Sequence, residues 1–384
     1  MKDIALILGI RPDVIRASKI IKLLKQSNEI DFDFIWSGQH YSENMKDIFF
    51  SQLKTPLPDF EFIIDVKNDA TTVSSIINQT YKHLEENKYK AVMFLGDTNT
   101  VMGSIGVAQH NIPIIHIEGC MRSYDWRMPE EKYRKTIDHL SDRIYSYLPS
   151  YKQQGINEGI SDSIIKVTGN PIVDILEEFK EVFNTGDKFL DRNVIDFISN
   201  DDFILVTCHR RENIFDKKSL ENIVNLLNQA NKKIVFPMGY ATQRQLKTFN
   251  LKLNKNILVI DPIGYLEFIY LLKKCNYSIT DSGTVVEESC ILGIPSIQMR
   301  YSTERPEVYD VNSSIKFDPT SSYKYDEVHS NVIELTNSKW HHPFGDGTAS
   351  KLIVEDIIKL SKENNFNKHN KDDYDFDISR SFLK

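Results

Sequence analysis

The chain has 384 residues, 41% of them apolar and 26% charged, and 47 Lys and Arg against 54 Asp and Glu leave a formal net charge of −7. That balance excludes a wholly disordered chain and a disulfide-stapled mini-protein, and at roughly 150 residues per domain it points to two or three domains. A mildly acidic chain offers no bulk-charge basis for nucleic-acid binding, although a local basic cleft stays open.

Short apolar, β-branched runs alternate with segments of helical period. Strands are predicted over 4–8, 32–36, 91–95 and 112–117, with helices over 14–25, 44–53 and 100–109 between them. The pattern pauses around 155–201 and restarts. Strands are then predicted over 203–208, 233–236, 257–260, 277–280 and 296–299, with helices over 219–230, 265–274 and 285–292. Continuous apolar strands read as parallel sheets covered by helices on both faces. The expectation is two doubly wound α/β domains with a boundary near 169–187 and ligands bound outside the carboxyl ends of the strands. The Lys-, Asn- and Asp-rich tail over 362–384 reads as a surface extension.

Four cysteines, at 120, 208, 275 and 290, form no Cys-x-x-Cys, so neither a zinc knuckle nor a redox pair is expected. Cys208 and Cys275 sit in or beside apolar runs and read as buried thiols. The run at 4–8 is too short for a signal-peptide core, and no apolar stretch approaches the ~20 residues that span a bilayer. A cytoplasmic protein without a membrane partner is expected.

Polar clusters follow the predicted strands, where functional loops belong. After the first stands Gly9-Ile10-Arg11-Pro12-Asp13, with Pro12 suited to open a helix and Arg11 a candidate donor in the cleft. No Gly-x-Gly-x-x-Gly occurs there, which weakens a dinucleotide-oxidoreductase reading. Gly96-Asp97-Thr98-Asn99-Thr100 follows a later strand, and Asp97 either caps the next helix or aims a carboxylate into the cleft. His116-Ile117-Glu118 resembles a zinc-deaminase fragment without its Pro-Cys-x-x-Cys partner, and His341-His342 has diverging side chains, so no metal site is expected. Pro129-Glu130-Glu131 reads as a helix start, and Glu130 and Arg134, four apart, share a face and could simply pair.

In the second half, His209-Arg210-Arg211 follows a strand directly, a concentration of charge that suits a cleft. Asp281-Ser282-Gly283-Thr284 leads into a helix, and a Ser-Gly turn at a helix N-terminus is a ready phosphate site. Glu288, about a turn further on, could accept from ribose hydroxyls; the alternative is a capped helix with a solvated Glu288. Arg300 and Arg305 add two cations after the last strand. Cations suit a diphosphate, and carboxylates in the first half with a phosphate turn in the second suit a nucleotide-sugar.

These motifs in this order resemble the non-hydrolysing UDP-N-acetylglucosamine 2-epimerase family. Besides those quoted, the matching pieces are Gly38-Gln39-His40, Gly169-Asn170-Pro171, Thr303-Glu304-Arg305-Pro306-Glu307 and Gly345-Asp346-Gly347, so the resemblance runs to about residue 360. It implies a GT-B-like fold: two Rossmann-like doubly wound domains flanking a deep cleft, assembled as a homodimer. The domains would be 1–170, completed by a C-terminal helix near 349–362, and a UDP-binding 171–348, with 363–384 as a polar tail. It implies a UDP-sugar substrate, no cofactor and no metal. The family inverts C2 by eliminating UDP to a 2-acetamidoglucal and adding it back, giving a UDP-ManNAc-type sugar for surface polysaccharide.

By the same resemblance Asp97, Glu118 and Glu130 match essential carboxylates and His209 an essential histidine. Arg11, Arg16 and Arg134 would steady the departing UDP; Ser282, Gly283 and Thr284 lie where the diphosphate binds, and Glu288 where the ribose does. Leu266 and Phe268 fall at the uracil and Arg305 at another site arginine. The departures from the usual pattern are Ile10 and Asp13 for Thr and Glu, Arg16 for Lys, and Gly119-Cys120-Met121 for Ala-Gly-Leu. The segment between Arg122 and Pro129 is also shorter than usual. The family's regulatory Gln and His align with Ser42 and Gly239, so the likeness does not extend to that second substrate site. The rivals are a hydrolysing 2-epimerase, against which Arg11-Pro12 argues, a GT-B glycosyltransferase, and a silent nucleotide-sugar binder.

Overall fold

A computed structural model describes residues 1–38, 50–199 and 202–367. Gln39, His40, Ser42, most of the predicted 44–53 helix and most of the tail lie outside the described residues. Contacts divide the chain into two units, Met1–Ile175 together with the segment from Phe344 onward, and Leu176–Pro343.

The first unit is built on a parallel sheet of β1 (Lys2–Leu8), β2 (Phe32–Trp36), β3 (Phe60–Glu61), β4 (Tyr89–Leu95), β5 (Ile114–Ile117), β6 (Arg143–Ser146) and β7 (Ile165–Val167), in the order β3-β2-β1-β4-β5-β6-β7. Alternation along β1 shows why it is central. Ile4, Leu6 and Leu8 enter one core while Ala5 and Ile7 enter the other, so helices cover both faces. Each Ile or Leu among them contributes on the order of 1.5–3 kcal/mol by burial. The second unit carries β8 (Phe203–Thr207), β9 (Lys233–Pro237), β10 (Ile257–Ile260), β11 (Tyr277–Thr280), β12 (Ser296–Met299) and β13 (Ser314–Phe317), all parallel, in the order β10-β9-β8-β11-β12-β13. Both sheets are Rossmann-like, and strand order reverses between β1 and β4 and between β8 and β11. Those are the switch points where such sheets bind ligands.

Strands β3, β6, β7 and β13 have no counterpart among the predicted ones. They are two to four residues long, each carries a charged residue that shortens or breaks the apolar run, and β3, β7 and β13 lie at sheet edges. The helix Asp69–Glu86 also escapes periodicity, because only Thr72, Ile76, Thr80 and Leu84 along it are buried. Its local signal is an Asn68–Thr71 capping box.

The last described helix, Ala349–Lys362, belongs to the first unit. Ile353, Val354, Ile357 and Leu360 join the same core as Val14, Ala17 and Ile21. Asp174 accepts from the Ala349 and Ser350 backbone N–H groups, at 3.2 and 2.9 Å, and so closes the helix N-terminus. Burial pushes the Asp356 carboxyl up, and Lys166, Arg143 and the Tyr145 hydroxyl more than reverse that, tying the helix to β6 and β7.

Candidate active site

In the first unit the charged side chains converge at the β1/β4 switch point. The helix Arg11–Gln26 starts where β1 ends, with Pro12 in its first turn as expected. Asp13 and Arg16 therefore face the ends of β4 and β5, and both are buried. Gly96, at φ +83°, lets the chain turn tightly after β4. A Cβ there would lie 3.3 Å from Asp13 Oδ1, 3.9 Å from Arg16 Nη2 and 4.0 Å from Glu118 Oε2, so three ionisable groups meet over one glycine.

Glu118 follows β5 with its backbone at φ +75°. A glutamate in the left-handed region stores strain of order 1–3 kcal/mol, of the kind that clusters at functional sites. Its carboxylate is buried and accepts from Arg16 Nη1 and, at 3.2 Å, from the Tyr147 hydroxyl. Arg16 Nη2 also reaches Asp13 Oδ1 at 3.4 Å. A lysine ammonium is a single point charge, whereas the guanidinium fork serves both carboxyls.

Asp97 does not cap the next helix. The cap position belongs to Thr98, and the Asp97 carboxylate pairs with Arg134. Arg134 likewise does not take the neighbouring Glu130. It reaches across the fold to Asp97, and its other nitrogen lies 3.5 Å from Glu131. Glu131, fully buried, accepts from the Ser123 N–H and hydroxyl and so ties down the loop before the Pro129–Leu140 helix. Glu130 sits in the first turn of that helix, half-buried. Arg11 is half-buried too, and burial lowers its pKa.

Behind this cluster is a support centred on Asp138, which no sequence motif marks. His116 Nδ1 lies 2.7 Å from Asp138 Oδ1, and Nε2 lies 2.8 Å from the Gly96 carbonyl, which can only accept. His116 is thus spent on holding the Gly96 turn. Asp138 also accepts from the Cys120 N–H and from Arg122, itself paired with Glu158. Among the described residues no group of three or more His, Cys, Asp or Glu is arranged to hold a metal ion.

The second unit repeats the arrangement at the β8/β11 switch point. Asp281, fully buried after β11, accepts from the backbone N–H groups of His209 and Arg210 at 2.9 Å each and from Asn213 Nδ2 at 3.1 Å. The His209 ring stays largely exposed, with Nδ1 3.4 Å from Asp281 Oδ1. The sequence places Asp281 in a motif; only the fold shows it shaping the histidine loop. Arg210 turns inward to the Asp281 carbonyl and to Glu304.

Ser282 is the N-cap of the helix Gly283–Leu292, accepting from the Val285 N–H, and Thr284 is half-buried in its first turn. Glu288 is not solvated. It is buried and accepts from the Tyr265 hydroxyl at 2.8 Å. Burial, reinforced by the Glu288 charge, pushes Tyr265 far above the usual phenol range, so it stays a donor. Leu266 is buried and Phe268 half-buried in the helix Tyr265–Lys274. Two apart, about 200° around the axis, they do not share a face.

Arg305 is buried and paired with Glu287, at 2.6 Å, and with Glu304. Its guanidinium lies directly against Gly283, where a Cβ would come within 2.5 Å of Nη1 and 2.7 Å of Cζ. Gly283→Ala is therefore expected to push Arg305 off Glu287 and to destabilise the second unit by about 1–3 kcal/mol, read as a lower denaturant midpoint. An unchanged midpoint would show that the arginine can move at no cost.

The sequence profile of a family described as UDP-N-acetylglucosamine 2-epimerase matches residues 22–358. The UDP-N-acetylglucosamine 2-epimerase of Methanococcus maripaludis is 37% identical over 380 residues, covering 94% of this chain and 100% of that one. Its counterpart from Methanocaldococcus jannaschii is 36% identical over 363 residues, 91% of this chain and 97% of that one. A crystal structure of the latter, in complex with UDP-GlcNAc and UDP, superposes with a TM-score of 0.84 at 36% identity, covering 93% of this chain and 99% of that chain. The fold class is GT-B-like, as expected.

Proposed function

The chain belongs to the UDP-N-acetylglucosamine 2-epimerase family, and we propose that it inverts C2 of UDP-N-acetylglucosamine, or of a closely related UDP-HexNAc, without net hydrolysis. A carboxylate takes the C2 proton as the C1–O bond breaks and UDP leaves, giving a 2-acetamidoglucal. The UDP oxygen then re-forms the bond to C1 while C2 takes a proton on its other face. A C2 proton is barely acidic, so a placed base and a stabilised leaving group must act together.

Asp97, Glu118 and Glu130 are the proton-transfer groups in this reading. Arg11 and His209 offset the charge of the departing diphosphate, while Arg16 and Arg134 hold Glu118 and Asp97 beside it. Ser282, Gly283 and Thr284 present the helix start to it. Glu288, held by Tyr265, takes the ribose, the helix turn that carries Leu266 and Phe268 borders the uracil with one of those two side chains, and Arg305, held by Glu287 and Glu304, supports the helix start at Gly283. The product would be a UDP-ManNAc-type sugar for surface polysaccharide. The observation that carries the reading is the pair of guanidinium-held carboxylates, Asp97 on Arg134 and Glu118 on Arg16, at one switch point.

The test is NMR of the purified enzyme with UDP-GlcNAc in D2O. Deuterium at C2 with accumulating UDP-ManNAc supports the reading. Free UDP with ManNAc supports the hydrolysing alternative, and no exchange from a chain that binds UDP points to a modified UDP-HexNAc or a transferase.

A further inference from the structure

One buried group beside the proposed site has no part in that reaction. Asp13 is 0% exposed, its Oδ2 has no hydrogen-bond partner among the described residues, and its Oδ1 stands 3.4 Å from Arg16 Nη2. The same guanidinium holds Glu118 through Nη1. We infer that Asp13 positions the Glu118 carboxylate through Arg16: as a neutral acid it leaves the guanidinium committed to Glu118, and as an anion it competes for it. This rests on the reading of Glu118 as a proton-transfer group.

The charge balance around Asp13 supports a proton there. Facing it are Arg16 from its own helix, Asp97 from the segment after β4 and Glu118 from the segment after β5. Beyond them, the Pro129–Leu140 helix contributes Arg134, on Asp97, and Glu131, while Tyr147 donates to Glu118. Asp13, Asp97, Glu118 and Glu131 thus share Arg16 and Arg134, and carboxyl groups outnumber guanidiniums. A buried cluster in that state lowers its energy by keeping one acid neutral. Asp13 Oδ2 and Glu131 Oε1 both lack a partner among the described residues, but Glu131 is anchored through Oε2 by the Ser123 N–H and hydroxyl, whereas Asp13 Oδ1 has the longer 3.4 Å contact to Arg16 Nη2, so the proton falls on Asp13. Burial, opposed by Arg16 and reinforced by Asp97, pushes its carboxyl up to about 7.

The sign follows from the geometry. Below that value Asp13 is neutral and Arg16 grips Glu118 alone. Above it the Asp13 anion draws on Nη2 of the same fork, and the contact that aims Glu118 slackens. Catalysis is sensitive to such aim, since a misplacement of about 1 Å can cost about 100-fold.

The experiment pairs infrared spectroscopy with kinetics on the full-length enzyme. The protonated-carboxyl C=O band is titrated in wild type, D13N and D13E, and kcat for UDP-GlcNAc is measured over the same pH range. In wild type a carboxyl band is expected to vanish as pH rises through about 7, with kcat falling up to about tenfold per unit above it, the slope of one ionisation. D13N, neutral at every pH, should lack both the band and the fall in kcat, and D13E, which keeps a carboxyl, should retain both. A band that persists in D13N, or a fall in kcat that D13N preserves, overturns the inference. A purely structural Asp13 would lower kcat in D13N equally at every pH, which also overturns it. If the band behaves as expected but no variant exchanges C2, the proton on Asp13 stands and the epimerase reading fails instead.

Discussion

Glu118→Gln is expected to lower kcat for UDP-GlcNAc by about 10²–10⁴-fold, the usual weight of one proton-transfer group. The substitution keeps the side chain's shape, and the amide oxygen can still accept from the Tyr147 hydroxyl. It removes the basic oxygen and leaves Arg16 without its full negative partner. KM should change little if the loss lies in proton transfer. C2 deuterium exchange in D2O should fall with kcat, since both pass through loss of the same proton. Turnover within a few-fold of wild type would remove Glu118 from the chemistry and shift the burden to Asp97 and Glu130.

The second large effect lies behind the site. Asp138→Ala is expected to cost the first unit about 3–5 kcal/mol, because it strips a partner from two fully buried groups, His116 and Arg122. It also frees the Cys120 N–H in a stretch where Glu118 and Cys120 both hold left-handed backbone, at φ +75° and +67°. For a unit of this size the melting point should drop by roughly 10 °C, seen in calorimetry as a shift of the first unit's transition. The pH dependence has a definite sign. Burial pushes the Asp138 carboxyl up, but His116 and Arg122 outweigh it and leave it below its ordinary value. The stabilisation is therefore complete above the ordinary Asp range, near ~4, and drains as pH falls below it. Asp138→Ala should flatten that acid limb, and an unshifted acid limb would show that the carboxyl carries no linked stability.

Much of the fold is legible in the sequence. The central strands β1, β2, β4, β5, β8, β9, β11 and β12 are apolar because both their faces are covered, so their hydrophobic runs mark them directly, and the edge strand β10 is legible from its run of four aliphatic residues. The glycine-bearing turns after β4 and β11 can also be read, since a tight strand-to-helix turn needs those residue types. Edge strands such as β7 and β13, with a lysine inside each, are not legible, because residues facing solvent leave no apolar signature.

The sequence by itself determined two parallel α/β halves, the order of the motifs and the residue types at each strand end. Only the tertiary structure decided which charge meets which. Sequence spacing puts Arg134 with Glu130, but the fold pairs it with Asp97, 37 residues away. An exposed i,i+4 pair is worth about 0.2–0.5 kcal/mol, and a buried guanidinium left without a carboxylate costs far more. Glu288 can be read from its spacing as solvated, and the Tyr265 hydroxyl, 23 residues distant, holds it in the interior. Asp13 reads as part of a loop, and burial beside Asp97 and Arg16 makes it titratable near neutrality. In each case the deciding partner, Asp97 for Arg134 and for Asp13 or Tyr265 for Glu288, comes from a distant segment that strand order and helix packing bring close, a relation that no local window of sequence contains.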